Sequence, residues 1–161
     1  MTVAPNKIAR RAFIAELLRH RGQALVATGL GSATWDCFAA GDSPEYLYSW
    51  GGMGLAVPTA LGLALAQPGR RVLAITGDGE MMMGLGSLAV VGDQAPKNFA
   101  VLVLDNETFG ETGRQRGLSA GRVDIAAVAK IAITEDPWAL PEKDGATLAH
   151  RFRTALGLEQ A

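Results

Sequence analysis

Arg71-Val72-Leu73-Ala74-Ile75-Thr76-Gly77-Asp78-Gly79 decides the fold class. Its first half is a near-continuous apolar run rather than an alternation of apolar and polar residues, which is the pattern of a strand covered on both faces. The run stops at a glycine-flanked aspartate, and a helical stretch follows with Met81, Leu85, Leu88 and Ala89 on one side. The same order of strand, glycine turn and helix recurs around it. Upstream, a strand over 23–28 ends at Gly29-Leu30-Gly31-Ser32 and feeds a helix over 33–40. Another over 47–49 leads into Gly51-Gly52-Met53-Gly54 and the apolar stretch 55–67, where Pro58 is tolerated in a first helical turn. Downstream, a strand over 99–104 delivers a polar loop, 105–117. An amphipathic helix over 8–21 comes first, its stripe built from Ile8, Ala12, Phe13, Leu17 and Leu18, with Arg10, Arg11, Glu16 and Arg19 largely outside it. A helix over 123–130, a short strand over 131–134 and a closing helix over 146–156 complete the expectation.

Buried strands alternating with helices predict an α/β fold, a doubly wound and mostly parallel sheet with helices on both faces, as a single domain over 1–161. In such sheets ligands bind outside the carboxyl ends of the strands. The glycine-rich segments after residues 28, 50, 76 and 104 would then converge on one edge. The 161 residues are 48% hydrophobic and 19% charged, enough apolar material for a sizeable core. A net charge of −1 steers the chain toward neither nucleic acid nor an anionic membrane, so any bound anion must be held locally. Cys37, the only cysteine, excludes an internal disulfide or a cysteine-built metal cluster, and a cytoplasmic setting is expected. No signal-peptide pattern opens the sequence, and no apolar run reaches the ~20 residues that span a bilayer.

Several familiar motifs are missing. The Gly29-Leu30-Gly31 turn departs from a dinucleotide fingerprint at its sixth position, where Thr34 stands in place of Gly or Ala. No Gly-Lys-Ser/Thr element occurs, and His20 and His150 lie in predicted helices without partners. What remains is a pair: Asp78 after one strand and Asn106 after the next, with 26 residues between Gly79 and Asn106. A carboxylate and a neutral amide oxygen at adjacent strand ends suit a hard divalent ion such as Mg²⁺, with a backbone carbonyl of the following loop as a third ligand. Gly77 and Gly79 permit a tight turn, and the amides beyond Gly79 can face a phosphate. The expected ligand is a metal-bridged anion. Asp-Gly and Asn at strand ends often serve only as turns, so the pairing carries the reading. Met81, Met82 and Met83 read as packing. Glu80 would add negative charge beside a diphosphate, so its side chain must point away or be offset.

Gly77-Asp78-Gly79, the 26-residue gap and Asn106 resemble the signature of thiamine-diphosphate-binding domains. Gly51-Gly52-Met53-Gly54-Leu55-Ala56 and Asp105-Asn106-Glu107-Thr108-Phe109-Gly110-Glu111-Thr112-Gly113 extend the resemblance. Over roughly residues 24–130 the chain looks most like the diphosphate-binding (beta) half of sulfopyruvate and phosphonopyruvate decarboxylases. The resemblance implies that Asp78 and Asn106 bind Mg²⁺ through side chains and Thr108 through its carbonyl, and that the metal holds thiamine diphosphate. It places Met53 as the apolar wedge that bends the cofactor and the Gly51 carbonyl as acceptor for its 4′-amino group. Gly77, Gly79, Glu80, Gly110 and Glu111, with Gly29 and Ser32 from the first glycine turn, become cofactor contacts. The implied reaction is decarboxylation of a small anionic 2-oxo acid. In such enzymes the activating glutamate comes from a pyrimidine-binding domain, so this chain contributes no catalytic residue of its own. A pyrimidine-binding (alpha) subunit is expected as partner in a hetero-oligomer. Relatives of this kind usually insert a helix, a strand and a further helix after Lys130, where this sequence passes almost at once into Ile131-Ala132-Ile133-Thr134-Glu135-Asp136-Pro137, so two expectations stand open: a sheet truncated there, or a segment missing from the sequence at that point. Arg114, Gln115 and Arg116 follow the cofactor loop and read as solvated surface more than as substrate ligands. Two alternatives stand beside this reading. One is the thiamine-binding subunit of a 2-oxo acid oxidoreductase, which must pass electrons onward although Cys37 alone cannot hold a cluster. The other is a noncatalytic nucleotide-binding module, which would use the 29–32 turn and be indifferent to replacement of Asn106.

Overall fold

The computed structural model describes residues 8–132. In chain order the elements are α1 (Arg10–Arg19), β1 (Leu25–Thr28), α2 (Ser32–Ala39), β2 (Tyr46–Tyr48), α3 (Ala56–Ala66), β3 (Val72–Gly77), α4 (Asp78–Met83) and α5 (Ser87–Gln94). They continue with β4 (Phe99–Leu104), β5 (Thr108–Phe109), a 3₁₀ turn (Gly110–Thr112), β6 (Gln115–Arg116) and α6 (Ile125–Ala132). Four strands form one parallel sheet in the order β2-β1-β3-β4, as expected for an α/β fold of this kind. β5 and β6 form a separate antiparallel hairpin inside the loop after β4.

Each central strand splits its apolar residues between the two faces, because successive side chains point to opposite sides of a sheet. Ala27, Val72 and Ala74 face one core, where α3, α5 and α6 contribute Val57, Ala60, Leu61, Leu88, Val91 and Ile125. Val26 and Ile75 face the other, where α1 and α2 contribute Ile14, Leu18, Ala33 and Cys37. Each fully buried aliphatic side chain here, Ile75 and Ile14 among them, stabilises the fold by roughly 2 kcal/mol. Burial also pushes the Cys37 thiol up to about 12, helped by the neighbouring Asp36 charge, so it stays protonated and serves as a packing group.

The chain leaves β1 in one direction to reach β2, then crosses back over β1 to lay down β3. That reversal puts a topological switch point between β1 and β3, where a crevice opens at the carboxyl ends of the strands. Two expectations about elements are corrected. The single helical run after Gly79 is two helices, parted at Gly84 and Gly86, residues that are poor in a helix interior; Gly84 also sits so close to the loop before α3 that a Cβ there would lie 2.2 Å from the Gly54 carbonyl oxygen. The strand expected over 131–134 is replaced at Ile131 and Ala132 by the end of α6, whose start is capped by Asp124 Oδ1 accepting the Ala127 N–H at 2.9 Å. Residues 133–134 and the helix expected over 146–156 lie outside the described residues.

Candidate functional site

A pocket of about 120 Å³ opens at the switch point. Its walls come from the segments after β1 (Leu30 to Ala33), β3 (Gly77 to Glu80) and β4 (Asn106 and Thr108 to Thr112), with Met53 from the loop before α3. Of the sequence-predicted site residues, Ser32, Met53, Gly77, Asp78, Gly79, Glu80, Asn106, Thr108, Gly110 and Glu111 all line it. Gly29 and Gly51 do not. Gly29 packs against Glu80, its absent Cβ falling 1.4 Å from Glu80 Oε2, and Gly51 is exposed with open space beside it. Arg114, Gln115 and Arg116 are exposed and also lie off the pocket wall.

The registry of β3 against β4 explains why Asp78 and Asn106 meet in one pocket. Gly77 pairs with Leu104, so the two residues emerge just beyond adjacent strand ends. Asp78 is 3% exposed, and among the described residues no Lys, Arg or His forms an ion pair with it. Its polar partner is the Ser119 hydroxyl, 2.9 Å from Asp78 Oδ2 and also 2.9 Å from Asp105 Oδ1. A hydroxyl has one proton and can donate to only one of these carboxylates at a time. Asp78 is therefore a buried acid that stands in the first turn of α4 and has one shared hydroxyl as its side-chain partner among the described residues.

Asn106 Oδ1 accepts from the Thr108 N–H at 2.9 Å and from the Thr108 hydroxyl at 3.0 Å, which folds the loop back on itself. Between them Glu107 adopts a left-handed conformation, φ 62°, unfavourable for a residue with a side chain by about 1 kcal/mol. Gly117 holds that turn in place: its N–H donates to the Glu107 carbonyl at 2.7 Å, and a Cβ on it would press on both Asp78 Oδ2 and that carbonyl. Gly79 likewise makes room for the Phe109 ring, since a Cβ there would meet Cε1 at 2.5 Å. The Thr34 that breaks the dinucleotide pattern has its own work. Its hydroxyl donates to the Gly29 carbonyl at 2.7 Å, which leaves the Thr28 hydroxyl to donate to Thr34 Oγ1 at 2.5 Å and closes the first glycine turn.

Glu80 is buried, and its carboxylate turns into the protein. Thr76 Oγ1 donates to Oε2 at 2.8 Å and the Ala56 N–H to Oε1 at 3.3 Å, joining the loop before α3 to the start of α4. Desolvation raises its pKa, against the hydroxyl of Thr76 and the N–H groups of Ala56, Gly54 and Leu30, which favour the ionised form. An acid whose folded-state pKa is raised binds its proton more tightly when folded. The associated stability is fully present below the ordinary value of 4.5 and is lost as pH rises through the folded-state value. Urea unfolding followed from below pH 4.5 to neutrality should show that decline in the wild type. Glu80→Gln, which has no proton to lose, should flatten it; an unchanged slope would assign the titration to another group.

Sequence reading missed Arg10, Asp36 and Ser119. Arg10 lines the pocket, and its Nε donates to the fully buried Asp36, which also accepts from Arg11 Nε at 3.1 Å. Arg10 and Asp36 are 26 residues apart and Ser119 is 41 residues from Asp78, so no local pattern joins them.

Residues 29–161 match the family described as thiamine pyrophosphate enzyme, C-terminal TPP binding domain. A phosphonopyruvate decarboxylase of Streptomyces viridochromogenes is 42% identical over 126 residues, covering 78% of this chain and 30% of that protein. The sulfopyruvate decarboxylase subunit beta of Methanothermobacter thermautotrophicus is 40% identical over 106 residues, covering 66% of this chain and 56% of that one. This chain thus spans about half, or less, of the length of these relatives. Among solved structures, an enzyme from Mycobacterium smegmatis described as thiamin diphosphate-dependent superposes with a TM-score of 0.65 at 22% identity, over 81% of this chain and 28% of that one, a likeness of fold. The chain belongs to the family of C-terminal TPP binding domains of thiamine pyrophosphate enzymes.

Proposed function

We propose that this chain is the diphosphate- and Mg²⁺-holding subunit of a thiamine-diphosphate-dependent decarboxylase acting on a small anionic 2-oxo acid of the sulfopyruvate or phosphonopyruvate type. The observation that carries it is the convergence of Asp78, buried and without a cationic partner among the described residues, with Asn106 at one switch-point pocket. The donor set fits a magnesium ion. Asp78 offers a carboxylate oxygen, Asn106 an amide oxygen and Thr108 a backbone carbonyl, all hard ligands of the kind Mg²⁺ takes while keeping some water and substrate phosphate. Asn106 Oδ1 can release a lone pair for this by rotation of the Thr108 hydroxyl, which leaves the Thr108 N–H bond intact. Glu80, tied to Thr76 and Ala56, keeps its charge off the diphosphate.

Bound thiamine diphosphate supplies an electron sink for the carbanion that decarboxylation leaves. The chain's residues anchor and orient: Asp78 and Asn106 on the metal, the backbone of Gly79, Gly110 and Glu111 at the diphosphate, Met53 against the body of the cofactor. The described acids that line the pocket are Asp78, Glu80 and Glu111; Asp78 is given to the metal, Glu80 is tied to Thr76 and Ala56, and Glu111 is exposed. The activating glutamate is therefore assigned to a pyrimidine-binding partner, in keeping with relatives named as a subunit beta. The same sheet edge exposes large apolar groups suited to such a contact. Trp35 and Trp50, each about half exposed, pack edge to face with ring centroids 5.1 Å apart, and Leu55 and Met83 are exposed near Met53.

The test is reconstitution. Full-length chain is mixed with the candidate pyrimidine-side subunit, and CO₂ release from sulfopyruvate and phosphonopyruvate is followed with Mg²⁺ and with chelator. Turnover should require both chains and the metal. Equal turnover in chelator, or none with either acid while both chains bind thiamine diphosphate, would overturn the assignment.

A further inference from the structure

Arg10 is the one cationic side chain among the described residues that line the pocket; the other ionisable groups there, Asp78, Glu80 and Glu111, are acids. We infer that Arg10 binds a tetrahedral oxyanion in this pocket, reaching it from the β1 side while Asp78 and Asn106 serve it from the β3 and β4 side. This rests on the metal and diphosphate reading above. A diphosphate bridged by a single divalent ion keeps negative charge that the acids of the pocket cannot offset, and Arg10 supplies the missing countercharge.

The packing prepares the residue for that task. Arg10 opens α1, which lies against α2, and the first residues of α2, Ser32 and Ala33, share the pocket wall with it. Asp36, also on α2 and fully buried, takes the Nε edge of the guanidinium and fixes its plane. Arg11 adds a second cation to the same carboxylate at 3.1 Å, so the pair of arginines leaves one positive charge uncompensated beside the pocket. The Arg10 side chain is 36% exposed, and no described group accepts from its Nη1. A planar fork with one edge anchored and another free is suited to phosphoryl, phosphonate or sulfonate oxygens.

Two sources offer that chemistry, the diphosphate of the cofactor and the acid group of the substrate, and two probes separate them. Inorganic pyrophosphate and phosphonoacetate, each with Mg²⁺, are titrated calorimetrically into the full chain as wild type, Arg10→Gln, Arg10→Lys and Asp78→Asn. Arg10→Lys keeps a charge for Asp36 while removing the fork, and its ligand-free thermal unfolding should stay close to wild type. Loss of one charge-assisted contact should weaken binding by about tenfold or more. Weakened pyrophosphate binding in both Arg10 variants assigns the oxyanion to the diphosphate; weakening confined to phosphonoacetate assigns it to the substrate's acid group. Unchanged affinity for both probes in a folded Arg10→Lys protein overturns the inference. If Asp78→Asn abolishes pyrophosphate binding while the Arg10 variants match wild type, Arg10 alone is refuted. If the wild type binds no pyrophosphate with Mg²⁺, the metal and diphosphate reading fails first.

Discussion

Gly84→Ala should lower the unfolding free energy by about 3 kcal/mol, the upper range of overpacking effects. The added methyl carbon would sit 2.2 Å from the Gly54 carbonyl oxygen and 3.0 Å from its carbonyl carbon, and backbone atoms cannot swing aside as a side-chain tip can. Gly84 has an ordinary φ of −98°, so the effect is steric and not conformational. Gly62→Ala provides the control. It lies inside α3 with open space beside it, and alanine there should be neutral or stabilising by up to about 1 kcal/mol. Urea unfolding of both variants checks the contrast, and equal stabilities would show that the two segments are free to part. Gly84→Ala should also weaken thiamine diphosphate binding, because the loop it displaces carries Met53 into the pocket wall.

That contact shows where sequence reading reaches its limit. The strand expected over 99–104 is β4 to the residue, and the apolar stretch 55–67 brackets α3 to within one residue at each end, because continuous burial leaves a local signature. The sheet edge that gathers the glycine turns was equally legible, and so was the shared location of Asp78 and Asn106, since both follow from strand order and register. The close approach of Gly84 to Gly54 was not, because the two are 30 residues apart in the sequence. Nor were the Arg10–Asp36 pair or Ser119, whose partners are chosen by helix packing and loop closure rather than by periodicity. Glu80 falls between these cases. Charge repulsion required its side chain to avoid a diphosphate, and only the structure identifies Thr76 and Ala56 as the groups that receive it.

Asp78→Asn should remove the magnesium-dependent part of thiamine diphosphate binding, a loss of about a hundredfold or more. Residues that merely orient metal ligands contribute about 10–100-fold to metal affinity, and a direct ligand should matter at least as much. The substitution keeps the size of the side chain and a bond to Ser119 while deleting the carboxylate charge proposed to face the cation. Asn106→Ala should produce a loss of the same kind. If both residues serve a single ion, as proposed, the two effects should not add: once one ligand is gone and the metal is lost, removing the other changes little.

The proposed role of these two side chains is to hold one cation and through it the diphosphate. Its most direct test is calorimetric titration of thiamine diphosphate into wild type, Asp78→Asn, Asn106→Ala and the double variant, each in Mg²⁺ and in chelator. A large difference between magnesium and chelator is expected in the wild type, and almost none in any of the three variants. Binding that is indifferent to chelator in the wild type, or losses in the single variants that sum in the double, would contradict it.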